Sequence, residues 1–124
     1  MYKIETYKTR QGKDEIAKYI ETLGIKANTS KNCRIKLKKI LEYLFFLERF
    51  GTRAGLPYSK HIDGDIWELR PLDDRIFFAY WKNNTFILLH HFHKKTNTTP
   101  QREIEQAKRN LKDWIERNDT SGKP

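Results

Sequence analysis

Cysteine is all but missing. Cys33 is the only one among 124 residues, which excludes an intramolecular disulfide and a cysteine-based zinc cluster and points to a reducing compartment. Long apolar runs are missing too. The longest, such as Tyr43 to Leu47, are far too short to span a bilayer, and the opening MYKIETYKTRQGKDE has no apolar leader region. These absences predict a soluble, cytoplasmic protein with no membrane partner. Internal repeats and dividing linkers are also lacking, so one domain over 1–118 with a polar tail at 119–124 is expected.

What is present is charge and aromatic surface. Charged residues make up 33% and aromatics 13%, enough large rings to support a packed core rather than disorder. A chain of this length buries roughly two-thirds of the surface its unfolded form exposes. The formal charge of +9 attracts polyanions, and that attraction weakens as salt rises. Nucleic acid, the ribosome, an anionic membrane and an acidic protein all satisfy that charge equally.

Patterning gives the elements. MYKIETY alternates, with Tyr2 and Ile4 on one side, and reads as a strand. KDEIAKYIETLG places Ile16, Ala17, Ile20 and Leu23 at helical spacing and ends at Gly24. A longer helix begins after the caps Asn28, Thr29 and Ser30 and runs to about Arg49, with Ile35, Leu37, Leu41, Leu44, Phe45 and Leu47 as its apolar stripe. The stretch TRAGLPYSKHIDGD reads as a turn-rich connection. Three strands follow, IWELRPL, RIFFAYWK and FILLHHF, joined by turns at Asp73-Asp74 and Asn83-Asn84 in an antiparallel meander. A last helix after Pro100 aligns Ile104, Ala107, Leu111, Trp114 and Ile115. The order β-α-α-β-β-β-α predicts an α+β domain, a small antiparallel sheet with helices on one face.

Alternation in IWELRPL sends Trp67 and Leu69 into the core and turns Glu68 and Arg70 outward. Arg75 opens the next strand, so a tight hairpin sets two guanidiniums side by side. Their rigid forks suit phosphate. The plain alternative is a salt bridge with Glu68, Asp73 or Asp74. In LLHHFHKK, alternation puts Leu88, His90 and Phe92 on one face and His91, His93 and Lys95 on the other. His90 is then a packing histidine with a hydrogen-bond partner. His91 and His93 face outward, where zinc would need a third protein ligand and the lysines favour anions, so no metal and no cofactor is expected. Metal-free RNA cleavage needs a base for the attacking 2′-hydroxyl, stabilised phosphoryl oxygens and an acid for the leaving 5′-oxygen. Arginine and lysine suit the middle task, and histidine suits either proton task.

The segment IWELRPLDDRIFFAYWKNNTFILLHHFHKKTNTTPQREIEQAKRN carries a family resemblance. Glu68-Leu69-Arg70, Arg75, Phe92-His93-Lys94-Lys95-Thr96, Thr99-Pro100 and the Glu103 to Ala107 helix resemble the RelE/ParE superfamily of type II toxin-antitoxin toxins, in its HigB-like, phage Gp49-like branch. The resemblance implies a microbial-RNase-like fold and an mRNA interferase acting on messenger in the ribosomal A site. It also implies a cognate antitoxin with a helix-turn-helix DNA-binding domain, held with the toxin in a hetero-oligomer. Arg70, Arg75, Lys94 and Lys95 sit at the phosphate-binding and catalytic positions. Glu68 stands in a strand whose counterpart in RelE is richer in lysine, which brings His91, His93 or Glu68 forward as proton carriers. Lys60 and His61 are RNA-contact candidates beside a bland solvated-loop reading. Two other functions compete: a ParE-like, non-enzymatic gyrase inhibitor, and a basic RNA-binding module that cleaves nothing.

Overall fold

The computed structural model describes residues 1–118, so the tail assigned to 119–124 lies outside the described residues. Its elements are β1 (Lys3–Thr6), α1 (Glu15–Lys26), α2 (Lys31–Phe50), a 3-10 turn (Gly51–Ala54), β2 (Ser59–Asp63), β3 (Ile66–Leu69), β4 (Asp74–Tyr80), β5 (Thr85–His93) and α3 (Gln101–Asn118). The strands form one five-stranded sheet in the order β1-β5-β4-β3-β2. The α+β class follows from the sequence; three details of it change.

First, β2 arises inside the stretch read as a turn-rich connection, and it pairs antiparallel with β3 through Ser59↔Leu69 and Lys60↔Glu68. As an edge strand with Lys60 and His61 exposed, it has no apolar alternation to betray it. Second, the sheet is mixed, because β1 runs parallel to β5 in the register Lys3↔Thr85. The connection from β1 to β5 runs through α1, α2 and the strands β2, β3 and β4, long enough to permit parallel pairing.

Third, helices cover both faces rather than one. Ile16, Leu23, Ile40 and Leu47 of α1 and α2 pack on Leu69, Ile76, Phe78, Phe86 and Leu88. On the opposite side Ile104, Ala107 and Trp114 of α3 pack on Ile66, Phe77, Ala79, Ile87, Leu89 and Phe92. The near-continuous apolar runs IFFA and FILL already carry this meaning, since a strand buried on both faces loses its polar alternation.

Local chemistry sets the helix ends. The Asp14 carboxylate accepts from the Ala17 amide at the start of α1, and Ser30 accepts from the Cys33 amide at the start of α2, each satisfying an orphan donor. Gly24 does not end α1: the helix continues to Lys26, and Gly24 lies close to Leu37 of α2. The buried stripe of α2 is Ile40 and Leu47 with Leu37 and Leu44 beside them, whereas Ile35, Leu41 and Phe45 remain exposed. With apolar residues on more than one side of α2, periodicity alone cannot choose the inner face.

Gly51 closes α2 at φ 60° and ψ −147°, a region open essentially to glycine alone. An added Cβ would also stand 2.9 Å from the Tyr2 ring. We expect Gly51→Ala to lose about 1–3 kcal/mol in urea denaturation through this backbone strain. A melt equal to that of the parent would show that the turn relaxes freely.

Candidate functional site: a basic cleft and a histidine cluster on opposite faces

The turn between β3 and β4 builds the cleft. Pro71 supplies a carbonyl to the Asp74 amide at 3.0 Å, and Leu72 is held at φ 56°, an uncommon conformation for a γ-branched side chain. Its carbonyl is then within 2.6 Å of Arg75 Nη1, which also reaches the Asp74 carbonyl at 2.8 Å. The Arg75 fork is therefore fixed by backbone before any ligand arrives. Lys94 is tied in by its amide, which donates to the Asp73 carbonyl at 2.8 Å. Around this turn Arg70, Asp73, Arg75, Lys94, Lys95, Thr96 and Asn97 line a cleft of about 410 Å³.

Glu68 lies under the cleft. Its side chain is 1% exposed, with Oε1 3.4 Å from Arg70 Nε and 3.8 Å from Arg75 Nε. These are ion-pair distances without hydrogen-bond geometry: Glu68 Oε2 and both Nε atoms are buried and have no hydrogen-bond partner among the described residues. The outward orientation expected for Glu68 is thus corrected. Its cross-strand neighbour Phe77 belongs to the α3 face, so the outward side of β3 is itself a core face and the carboxylate is enclosed there. Burial pulls the Arg75 pKa below its usual value, Glu68 offsets part of that, and the Arg70 charge adds to it. A guanidinium still remains charged at physiological pH. Four cations around the cleft face two acidic groups, Asp73 at the wall and Glu68 beneath, so the cleft stays positive and suited to an anion.

The histidines go elsewhere. Register shifts between Phe77 and Phe78, which pair with His90 and Leu88, so Leu89 is the extra residue of a β-bulge. Leu88 therefore joins the α1-α2 face with His91 and His93 and not, as strict alternation requires, the face of His90 and Phe92. Strict alternation has no place for a bulge. His90 Nε2 lies 2.8 Å from Glu103 Oε1 of α3, the packing partner expected of it. His91 stacks on Tyr19 of α1, with ring centroids 4.0 Å apart.

Asp74 ties this second group together. Neighbouring residues in a strand face opposite ways, so Arg75 enters the cleft while Asp74 enters the α1 face. Asp74 Oδ1 lies 3.2 Å from His91 Nε2 and 2.9 Å from His93 Nδ1, and the Tyr19 hydroxyl donates to it at 3.0 Å. Burial alone would raise the Asp74 carboxyl pKa, but hydrogen bonds from His91 and Tyr19 and the nearby histidine charges hold it below its usual value. The Tyr19 hydroxyl is pushed up, by burial first and then by its bond to the carboxylate. Sequence reasoning missed both Asp74 and Tyr19 here. A correct β4-β5 register would have found Asp74, which stands opposite His93, but Tyr19 carries no local signal.

The expected residues thus divide. Arg70, Arg75, Lys94 and Lys95 come together, while His91 and His93 are on the other side of the sheet. Lys60 is exposed and pairs across from Glu68, on the cleft's side of the sheet. His61 points the other way, toward Trp67, and its Nε2 lies 2.7 Å from the Gly64 carbonyl in the β2-β3 turn.

Strand order, helices on both faces and a basic cleft at one end of the sheet define a small RelE-like α+β domain. Residues 30–112 match the family described as Phage derived protein Gp49-like (DUF891), and the chain belongs to that family. It is a RelE/HigB-like family of toxins from toxin-antitoxin systems, which implies a cognate antitoxin as partner. No curated protein matches the chain. No helix among the described residues is long and apolar enough to cross a membrane.

Proposed function

We propose that this toxin is a metal-independent endoribonuclease that cuts messenger RNA in the ribosomal A site and so inhibits translation. The observation that carries the reading is the pair of guanidiniums of Arg70 and Arg75, held over the buried Glu68 at the floor of a cleft walled by Lys94 and Lys95. In it the scissile phosphate sits on Arg75 and Arg70, whose donors meet the non-bridging oxygens as charge grows on them. The 2′-hydroxyl loses its proton and attacks the adjacent phosphorus; the 5′-oxygen takes a proton and leaves, giving a 2′,3′-cyclic phosphate. Lys94 and Lys95 are the proton-carrying and charge-stabilising groups within reach of that phosphate. His91 and His93 are engaged with Asp74 across the sheet and take no part. Lys60 extends the positive surface along the RNA backbone.

We expect Lys95→Ala, at an exposed position, to lower cleavage by about 10²-fold, the scale of one positioned proton-transfer group, with an unchanged melt. Primer extension on messenger from arrested cells tests the wider reading. Discrete cuts within translated codons are the expected result. Intact transcripts accompanied by gyrase-dependent DNA breaks would overturn it in favour of a gyrase-directed toxin, and salt-sensitive RNA binding without cleavage on translating ribosomes would leave only a binding module.

A further inference from the structure

We propose that Asp74, His91 and His93 form a binding site for a transition-metal cation of the zinc class, separate from the basic cleft. The three donor atoms lie within 4.8 Å of one another, and two of the three separations are 3.2 and 2.9 Å. Donors each about 2.0–2.2 Å from one tetrahedral zinc stand roughly 3.3–3.6 Å apart. The Asp74–His91 edge of the ligand triangle is therefore near coordination spacing at 3.2 Å, and the two edges that meet at His93 have to adjust. His93, on the last residue of β5 and 44% exposed, has the freedom to do so.

Both objections that the sequence raised to a metal fall away in three dimensions. The missing third ligand is Asp74, brought opposite His93 by the β4-β5 register. The lysines that would repel a cation, Lys94 and Lys95, line the cleft with Arg70 and Arg75. The site has supporting chemistry of its own. Asp74 is 1% exposed, and the Tyr19 hydroxyl reaches both of its oxygens, at 3.0 and 3.2 Å, fixing the carboxylate as outer partners of metal ligands do. Two imidazoles with one carboxylate is the donor set of three-ligand zinc centres, in which water or a further ligand takes the open position. The open side here is that of His93. A hard cation such as magnesium prefers oxygen ligands and gains little from imidazole.

A cation bound there would pin the first residue of β4 to the last of β5 and both to α1 through Tyr19. Asp74 and His93 are the immediate chain neighbours of Arg75 and Lys94, so the cation fastens the back of the two strand ends whose front carries the cleft.

The test uses the whole chain, freed of metal by chelation, and needs no RNA, so its outcome is independent of the nuclease reading. Titration with zinc is expected to show one saturable site and a Tm that climbs with zinc concentration; cobalt(II) should give the visible absorption of a tetrahedral complex. His93→Ala, at a half-exposed position, should abolish the cobalt signal and the Tm response. Tyr19→Phe, which keeps three ligands but frees the carboxylate, should weaken zinc on the order of tenfold. His61→Gln, outside the cluster, should bind as the parent does. Absence of saturable zinc binding, equal affinity in His93→Ala, or magnesium binding as tightly as zinc would each overturn the proposal.

Discussion

Replacing Arg75 by alanine is expected to lower messenger cleavage by about 10²–10³-fold in single-turnover assays on programmed ribosomes, the scale of losing one preorganised donor to the developing charge. The size follows from preorganisation. Two backbone carbonyls, of Leu72 and Asp74, already hold Nη1 at 2.6 and 2.8 Å, so the guanidinium spends little entropy in meeting the phosphate. Arg75→Lys keeps a charge but loses the planar fork and both backbone bonds cannot be kept together with a bidentate grip. It should recover only part of the rate. Those same bonds stabilise the β3-β4 turn, so the alanine variant is compared by its melt as well. Undiminished cleavage by folded Arg75→Ala protein removes the residue from the reaction.

The cleft was legible because its residues lie close together in sequence. Arg70 and Arg75 flank a short turn, and Lys94 and Lys95 follow the partner strand, so a hairpin of almost any detail unites them. Three features were less accessible, each for its own physical reason. The bulge at Leu89 shifts side-chain phase by one residue, and no residue type in LLHHFH announces it. Burial of Glu68 depends on α3 covering the second face of the sheet, and that long-range packing leaves no mark in the alternation of β3. Asp74 reads as half of an Asp-Asp turn, whereas its position in β4 makes it the partner of His91 and His93. The elements themselves were readable wherever both faces or one clean face is apolar. Edge strand β2, with Lys60 and His61 exposed, was not.

Glu68→Ala is expected to cost about 3 kcal/mol in urea denaturation, toward the low end for removing one partner of a buried ion pair because Arg70 is about a quarter exposed. The carboxylate is 1% exposed and both guanidiniums converge on its Oε1, so its loss leaves two like charges together at the edge of the core. Glu68→Gln separates charge from shape: if electrostatics sets the cost, glutamine loses most of the same stability, and if packing does, it melts near the parent. Kinetics then decides what Glu68 does for the reaction. A positioning group under the arginines should, on replacement by glutamine, lower kcat while KM stays level or falls, because the cleft becomes more positive yet its guanidiniums lose their anchor. A residue that touches RNA directly and equally in ground and transition states should instead raise KM with kcat unchanged. The burial and the two ion-pair distances favour the first outcome. A raised KM alone in Glu68→Gln would show that the carboxylate reaches the RNA after all.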